Sequence, residues 1–285
     1  MENRRSLAPF VLLLPATLIF AIFFIWPLVT LTIISFHDYG RMTGIVETFT
    51  LKHYRNILFD SFYLEIVWRS MRLSLVTSIV TVVVGYPVAL YLMVATARSR
   101  ALVIFFILSP LMISVIVRTF GWVMILGPNG LFQSIASALG LSGGNFLHTE
   151  AAVIVGLVNV LLPFVVLSIA TSLQSVDPMI PLAATSLGAS PCRVFARVIV
   201  PLSLPGVLSG MLIAFSLASS TFVTPAVLGG SQYRVLSTML YQQSMVLQNW
   251  PFGAAIALFL VAIVFLVVTI QFRVVEGGKY KVVFQ

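Results

Sequence analysis

Long apolar runs separated by short polar segments dominate the pattern of this chain. Runs of about 20 apolar residues are long enough to cross the hydrocarbon of a bilayer as helices. Helix is the expected form because lipid cannot satisfy exposed backbone groups. The pattern therefore predicts an all-α integral membrane protein with six transmembrane helices, at residues 8–36, 66–94, 101–126, 151–173, 204–228 and 252–272.

The first run also determines how the N-terminus is interpreted. A secretory signal has an apolar core of about 7–15 residues followed by a small-residue cleavage site. The run at 8–36 is longer and has no such site. We therefore expect a retained first helix.

Composition supports a membrane protein and excludes other classes. Of the 285 residues, 60% are hydrophobic and 8% are charged, whereas soluble domains carry about 25% charged residues. The net charge is +8, but the basic residues form no patch interleaved with aromatics, which argues against nucleic acid. Cys192 is the single cysteine, and no Cys/His spacing resembles a metal site.

Orientation follows from the lysines and arginines that flank the predicted helices, since positive charge stays on the cytoplasmic side. With the N-terminus inside, nine basic residues lie on inner flanks and four on outer loops, so both termini are expected in the cytoplasm. The inner set is Arg4, Arg5, Arg98, Arg100, Arg193, Arg197, Arg273, Lys279 and Lys281, and the outer set is Arg41, Lys52, Arg55 and Arg234.

The predicted outer loops are 37–65 and 127–150. The second is rich in glycine around an apolar stretch at 131–139. We interpret that stretch as a short helix that is interfacial or re-entrant.

The predicted cytoplasmic loop, which begins at Ser175, carries strong helix signals. Asp177 is a good N-cap and Pro178 a good first helical residue, and a helix at 179–187 follows. Gly188 stands where a left-handed helix stop belongs. The loop therefore begins with a short helix.

A second short helix follows in the same loop. Ser190 and Pro191 repeat the cap-plus-proline signal, and the helix is expected to run through Val198. Pro201 and Pro205 are expected to end it and to start the fifth membrane helix.

The first loop helix is apolar for an exposed element. An apolar helix on the aqueous side can dock into the groove of a partner. It can equally lie flat on the bilayer. The residues alone leave both possibilities open.

A few polar residues interrupt the predicted spans. Arg69 and Arg72 lie near the outer end of the second helix, from which long side chains can reach the interface. Arg118 lies deeper in the third helix and either reaches the interface or lines a cavity. Asn159 lies in mid-span in the fourth helix, where an interhelical hydrogen bond and a place on a substrate pathway are both open.

The fifth helix combines a polar stripe with small residues. Ser209, Ser216, Ser220 and Thr224 share one face at helical spacing, and Gly206 and Gly210 form a GxxxG pattern. Helix packing through small residues and a hydrated pathway wall are both compatible with this pattern.

The loop also carries a family resemblance. Ala183-Ala184, then Gly188, then Val198-Ile199-Val200-Pro201 resembles the EAA loop of type I ABC-importer permeases, with the same nine-residue gap from Ala189 to Arg197. Leu182 stands where the family usually has glutamate, which puts an ionic role of that position in doubt.

The resemblance continues along most of the chain. The chain is similar to the polyamine/opine branch of the family, the PotB-like spermidine/putrescine permeases. The matching segments include Pro87–Tyr91, Val117-Arg118-Thr119, Gly121-Trp122, Leu162-Pro163-Phe164, and Trp250–Ala255. The chain is therefore identified as a member of the type I ABC-importer permease family, with a MetI-like fold.

The resemblance implies an assembly in which two permease subunits, with the second usually a different related chain, form the pathway. Two cytoplasmic ATPases bind ATP and Mg²⁺, and an external binding protein delivers the solute. This chain has no Walker A pattern, so it is expected to hold no cofactor and to be no enzyme. The implied division is 1–65 (first helix and external loop), 66–272 (permease core with the coupling loop at 175–203) and 273–285 (cytoplasmic tail).

The resemblance implies one group of site residues and the polar residues within the spans indicate a second, with no catalytic residue and no metal ligand. The expected ATPase-coupling residues are Leu182, Ala183, Ala184, Leu187, Gly188, Ala189, Ser190 and Pro201. The expected substrate-pathway residues are Arg118, Asn159, Ser216, Ser220 and Thr224. The solute is expected to be of the polyamine/opine type or another small molecule such as an amino-acid derivative.

Two other classes compete with this interpretation. A secondary transporter would place coupling groups near the bilayer midplane, but the predicted spans contain no Asp or Glu. A membrane enzyme would need a polar constellation, and no Ser/His/Asp set or paired carboxylates present themselves.

Overall fold

A computed structural model describes residues 8–40, 42–138 and 146–277. Arg4, Arg5, Arg41, Lys279, Lys281, Leu139 and the end of the predicted tail lie outside the described residues. Six helical stretches are long and apolar enough to cross a membrane, which confirms the predicted fold class. They are Leu13–Ser35, Ser61–Val94, Val115–Ile135, Glu150–Gln174, Pro191–Ser220 and Trp250–Arg273, called here the first to sixth spans.

Contacts divide the chain into two compact units. The first contains residues up to 63 together with 239–259. Its first span is a helix at Ala8–Phe20 and a second at Trp26–Ser35, joined by a wide π-type turn at Ala21–Ile25. The turn precedes Pro27, which has no N–H to give to an α-helical bond.

A short β-hairpin and a helix follow in the same unit. Strand Asp38–Gly40 pairs antiparallel with Gly44–Val46, and the helix Lys52–Phe59 packs Ile57 in a buried position. Gly44 has φ of 73°, which a glycine tolerates without strain. The unit also contains a wide turn at Gln242–Val246 before the sixth span. The hairpin is a small addition to a helical chain, formed in the predicted outer loop at 37–65.

The second compact unit contains residues 64–238 and the chain from 260 onwards. The fourth span, Glu150–Gln174, lies at its centre because it is apolar on all sides and buries residues along its whole length. Thr149 caps it by accepting the N–H of Ala152 at 3.3 Å. Leu157, Val165 and Ile169 have at most 1% of their surface exposed.

The second span begins earlier than predicted, at Ser61, and passes Pro87 without a break. The sixth helix is also longer, Trp250–Gly277. The apolar stretch at 131–139 forms the short helix Leu131–Ala138, as expected.

The third predicted helix, 101–126, is wrong as a single element. The chain forms a helix at Ala97–Leu108, a 3-10 turn at Ser109–Met112 and a second helix at Val115–Leu126. Ile113 and Ser114 between them are extended. Pro110 cannot donate to the carbonyl of Phe106, and the hydroxyl of Ser109 donates to that carbonyl instead, at 2.9 Å.

The predicted end of the second loop helix at Val198 is also wrong. Helix Pro191–Val194 passes through a wide turn at Phe195–Ile199 directly into helix Val200–Ser220. The N–H of Val200 bonds to the carbonyl of Phe195, five residues back. The wider turn relieves the clash that Pro201 would make with the carbonyl of Arg197 in an α-helix, so the helix continues.

Candidate functional site

The short helix that opens the loop between the fourth and fifth spans is Met179–Ser186. Its start is fixed by Asp177, whose carboxylate accepts the N–H of Met179 at 2.9 Å. Its end is fixed by Gly188, which has φ of 83°. The N–H of Gly188 bonds to the carbonyl of Thr185 at 2.9 Å, and that of Ala189 to the carbonyl of Ala184 at 3.1 Å. Both predicted helix signals therefore act where the sequence places them.

This loop helix presents an apolar surface to its surroundings. Met179 is 66% exposed, Leu182 is 57% exposed and Leu187 is 88% exposed. Ala183 is exposed as well, whereas Ala184 is half-buried. Exposed apolar side chains on so short a helix are costly unless another surface covers them.

The second loop helix begins at the predicted position. Ser190 is extended, with ψ of 153°, and Pro191 is the first helical residue, although the Ser190 side chain makes no capping bond. From there one helical rod leads through the wide turn at 195–199 into the fifth span. Pro201 lies in the first turn after the wide turn and is half-buried. One continuous helix therefore connects the loop with the fifth span.

The fifth span packs on the fourth through its small residues. A Cβ added at Gly206 would lie 2.4 Å from Ser172 Cβ and 2.6 Å from the carbonyl oxygen of Ser168. At Gly210 it would lie 3.2 Å from the Cα of Val165. The hydroxyl of Ser168 donates to the carbonyl of Gly206 at 3.0 Å. The GxxxG pattern therefore serves helix packing.

The predicted polar stripe lies on a different face of the fifth span. Ser209 and Ser220 are exposed and Ser216 is half-buried. Thr224 does not belong to this face, so that part of the prediction is wrong. The helix ends at Ser220, and Thr224 lies in the separate helix Val223–Leu228, 2% exposed, where its methyl group packs over Gly156.

The two remaining pathway candidates lie on other elements. We call residues 97–126, with the break at 109–114, the third segment. Arg118 is half-buried, and its Nη1 donates to the carbonyl of Pro110 at 2.5 Å across this break. Asn159 is half-buried on the fourth span and makes no side-chain hydrogen bond within the described part of the chain. Among the described residues, no hydrogen bond joins the side chain of Arg118 or Asn159 to the serine stripe.

Sequence reasoning missed the acidic partners of Arg69 and Arg72. Arg72 forms an ion pair with Glu150, the first residue of the fourth span. Arg69 pairs with Glu65 one turn earlier and also donates to the carbonyl of Gln232 at 3.2 Å. Glu150 directly before an apolar run was the available signal, because a carboxylate favours a helix N-terminus.

Tyr233 completes this cluster. Its ring lies under the Arg69 guanidinium, 5.4 Å from Cζ to the ring centre. Burial, helped by the charge of Glu150, raises the pKa of Tyr233. The phenol therefore stays neutral at physiological pH, and the cluster joins the N-terminal parts of the second and fourth spans to the segment at 229–236.

A known protein family matches most of this chain. The model of the family described as "Binding-protein-dependent transport system inner membrane component" matches residues 70–278. The chain is 30% identical over 226 residues, 79% of each protein, to the spermidine/putrescine transport system permease protein PotB of Haemophilus influenzae.

Solved structures share the fold. A bacterial ABC transporter involved in the import of the acidic polysaccharide alginate has a chain with a TM-score of 0.79 at 17% identity, covering 97% of each chain. A chain of the MetNI methionine ABC transporter, in an inward-facing conformation, has a TM-score of 0.57 at 20% identity, covering 75% of this chain and 94% of that one.

The family match covers the second to sixth spans and the loop with its exposed helix. It confirms the predicted class, a transport component of the inner membrane and not an enzyme. The chain therefore belongs to the family of binding-protein-dependent transport system inner membrane components, the permease subunits of ABC importers.

Proposed function

We propose that this permease imports polyamines, linear organic amines of the spermidine and putrescine type, as one half of a membrane pathway. The second half is a different, related permease chain, and an external binding protein delivers the solute. Two cytoplasmic ATPases bind ATP and Mg²⁺ and drive the cycle. In this arrangement both termini of the chain lie in the cytoplasm. The observation that carries the solute class is the 30% identity to a spermidine/putrescine permease over 79% of the chain.

The exposed loop helix is the proposed docking element for an ATPase. Its apolar side chains, such as Leu182 and Leu187, would enter a groove of the ATPase and lose their contact with water. An apolar leucine at position 182 suits burial in such a groove, although the wider family has glutamate there. Ala183, Ala184, Ala189, Ser190 and Pro201 complete the proposed coupling segment.

Motion would reach the membrane through the continuous helix that starts at Pro191. ATP binding would draw the two ATPases together, and the docked helix would move with them. The rod from Pro191 to Ser220 would then tilt the fifth span and switch the pathway between inward and outward opening.

Gly188→Arg tests this coupling role. A side chain at φ of 83° is strained, and the bulky cation would stand beside the docking surface. We expect uptake to be abolished while the chain still inserts into the membrane, as measured by labelled-solute uptake and by membrane fractionation. Ser186→Arg at the end of the same helix is a control for added charge without the strain. Normal uptake by the Gly188 variant would overturn the proposal.

The membrane spans give little basis for recognising a cation. Apart from Glu65 and Glu150, which lie near the starts of the second and fourth spans, the described spans contain no carboxylate. Selectivity for polyamines would therefore reside mainly in the delivering protein. The serine face with Ser216 and Ser220, together with Asn159, would line a polar but uncharged route. Thr224, being buried away from this face, is left out of the proposed route.

A second candidate solute class follows from Arg118. A half-buried guanidinium that has no acidic partner among the described residues favours a solute that carries a carboxylate, such as an amino-acid derivative. Competition for uptake distinguishes the two. In cells that carry the complete transport system, excess putrescine should suppress uptake of labelled spermidine, and amino acids should not. Suppression by amino acids alone would favour the second class.

A further inference from the structure

A cavity of about 380 Å³ at residues 147–149 and 229–232 adjoins the cluster of Arg69, Arg72 and Glu150 already described, whereas a larger cavity in the first compact unit has no assigned role. Its volume is about 760 Å³, within the range of small-molecule sites. It is lined by the hairpin, the helix Lys52–Phe59 and the segment that leads into the sixth helix. The hairpin and the helix Lys52–Phe59 lie in the predicted outer loop at 37–65, so we call it the outer cavity.

Aromatic rings form one wall of the outer cavity. The Tyr63 ring meets the Phe252 ring edge to face, with centroids 5.2 Å apart and an interplanar angle of 88°. The His53 ring lies 5.4 Å from the same Phe252 ring. Such a wall offers apolar surface to methylene groups and π-electron density to an ammonium group.

The outer cavity is held in shape by bonds that do not involve a ligand. The Tyr39 hydroxyl donates to the carbonyl of Leu247 at 3.1 Å, which ties the hairpin to the opposite wall. The side-chain oxygen of Asn249 accepts the N–H of Phe252 at 3.2 Å. A Cβ at Gly253 would lie 2.0 Å from Ser244 Oγ, so the wide turn at 242–246 packs closely on the helix start. The site is preformed, which lowers the entropy cost of binding.

Polar groups in the cavity wall retain free bonding capacity. The half-buried carboxylate of Asp38 accepts one N–H, from Tyr39 at 2.8 Å, and forms no ion pair within the described residues. The Asn56 side-chain amide makes no hydrogen bond in the described part of the chain, and the Gln243 amide uses its NH₂ group on the Met239 sulfur at 3.8 Å. Carboxylate and amide oxygens are acceptors, which suits ammonium donors.

The charges around the cavity are simple. Asp38 is the acid and Lys52 the base in its lining. Burial lowers the pKa of His53, assisted by Lys52 and opposed by a hydrogen bond to the His37 carbonyl and by Asp38. The imidazole is therefore neutral at pH 7, and its Nε2–H donates to that carbonyl at 3.0 Å. It adds no positive charge beside Asp38.

We infer that the outer cavity binds a linear organic amine, with one ammonium group on Asp38, the carbon chain against Tyr63 and Phe252, and a further amine group on the amide oxygens of Asn56 and Gln243. This site would hold a solute at the outer face of the permease before it enters the membrane pathway. The inference rests on the proposed polyamine function for its solute class, and on the predicted orientation for its side of the membrane.

Binding of putrescine to the full-length chain in lipid nanodiscs tests the inference, by calorimetry at low ionic strength. Asp38→Asn should weaken binding at least about tenfold, because it removes a charged hydrogen-bond acceptor. Glu47→Gln, which removes the same charge from an exposed position in the same loop, should leave binding unchanged. Equal affinity of the wild type and the Asp38 variant, or no binding to the wild type, would overturn the inference.

Lys52→Gln gives a result that misfolding cannot imitate. Removing the positive charge from the cavity wall should tighten putrescine binding about two- to fivefold, and raising the salt concentration should reduce this gain. A weaker affinity in this variant would show a ligand that needs Lys52, such as a zwitterion, and would also overturn the inference.

Uptake measurements separate this site from the proposed function. If the complete transport system takes up putrescine but the chain does not bind it through Asp38, the outer site is wrong and the function stands. If the chain binds putrescine through Asp38 but the system does not take up polyamines, the site stands and the proposed function is wrong.

Discussion

The third segment and the fourth span each carry a proline within a long apolar run, yet the helix breaks in the first and continues in the second. In the third segment the helix stops at Leu108 and restarts at Val115 around Pro110. In the fourth span the helix Glu150–Gln174 runs past Pro163 without interruption. Proline lacks the N–H that the carbonyl four residues earlier would accept, so both sites lose the same bond.

Burial accounts for the difference. Val165, Val166 and Ile169, which follow Pro163, are fully buried. Around Pro110, by contrast, Phe106 is 68% exposed and Met112 is 84% exposed. Packing on several sides offsets the cost of about 3 kcal/mol that proline imposes on a helix. The broken segment lacks such packing among the described residues. The Ser109 hydroxyl instead bonds the freed carbonyl of Phe106, and Arg118 adds a bond to the Pro110 carbonyl, which also accepts the N–H of Ile113.

The largest expected effect comes from glycines in the two regions. Gly206→Ala places a Cβ against the backbone of the fourth span and should lower stability by about 1–3 kcal/mol through overpacking. Gly121→Ala, in the third segment, meets no atom within 4 Å and should raise helix stability by up to about 1 kcal/mol. Thermal unfolding of the purified variants measures both. Equal shifts in both would contradict the packing difference.

Arg118→Leu tests whether a side chain holds the break. It removes a charged hydrogen bond to the Pro110 carbonyl, so amide exchange at residues 111–114 should rise by about tenfold, equivalent to about 1.4 kcal/mol. Global stability should not fall in parallel, because removing an arginine from a span also recovers about 2.5–3.5 kcal/mol of insertion cost. Arg118→Lys keeps the charge and is the matched control. Unaltered exchange in the leucine variant would mean that the break needs no side-chain bond.

Pro110→Ala should have a smaller effect, because the restored N–H competes with the Ser109 hydroxyl for the same carbonyl. We expect the helix to extend by a few residues and stability to rise by about 0.5–1 kcal/mol. Spin labels at Phe105 and Val117 would report a distance near 18 Å for a continuous helix, from 1.5 Å per residue. An unchanged distance would show that Ile113 and Ser114 hold the break by themselves.

Pro163→Ala should have the smallest effect. The variant regains one backbone bond, to the carbonyl of Asn159, and loses a little buried volume, so the two changes nearly cancel to within about 0.5 kcal/mol. Unfolding temperature and uptake measure it. A large loss of uptake at unchanged stability would assign this proline a role in motion.

Sequence patterns could predict the features that hydropathy and local caps determine. The fourth span was placed to within one residue at each end, because its apolar run is bounded by Glu150 and Ser175. Asp177 and Gly188 were recognised as helix signals because capping acts over a few residues. Such local rules do not need tertiary structure.

Features set by tertiary context could not be predicted in the same way. Pro110 and Pro201 look alike in sequence, but one lies at a break and the other follows a wide turn in a continuous helix. The burial of Thr224 depends on the helix end at Ser220, which no strong cap announces. The pairing of Arg72 with Glu150, separated by 78 residues, needs the fold itself.

The wide turn at Phe195–Ile199 has a geometric consequence for the fifth span. It contains one residue more than an α-helical turn, and such an insertion can shift along a helix by exchanging one set of carbonyl partners for the next. Each residue that the insertion passes is rotated by about 100° around the axis, the angle between neighbours at 3.6 residues per turn. Moving the insertion toward the membrane would therefore rotate the loop end of the helix Pro191–Ser220 relative to its membrane end. A pull along the helix axis would then change which face of the helix is presented.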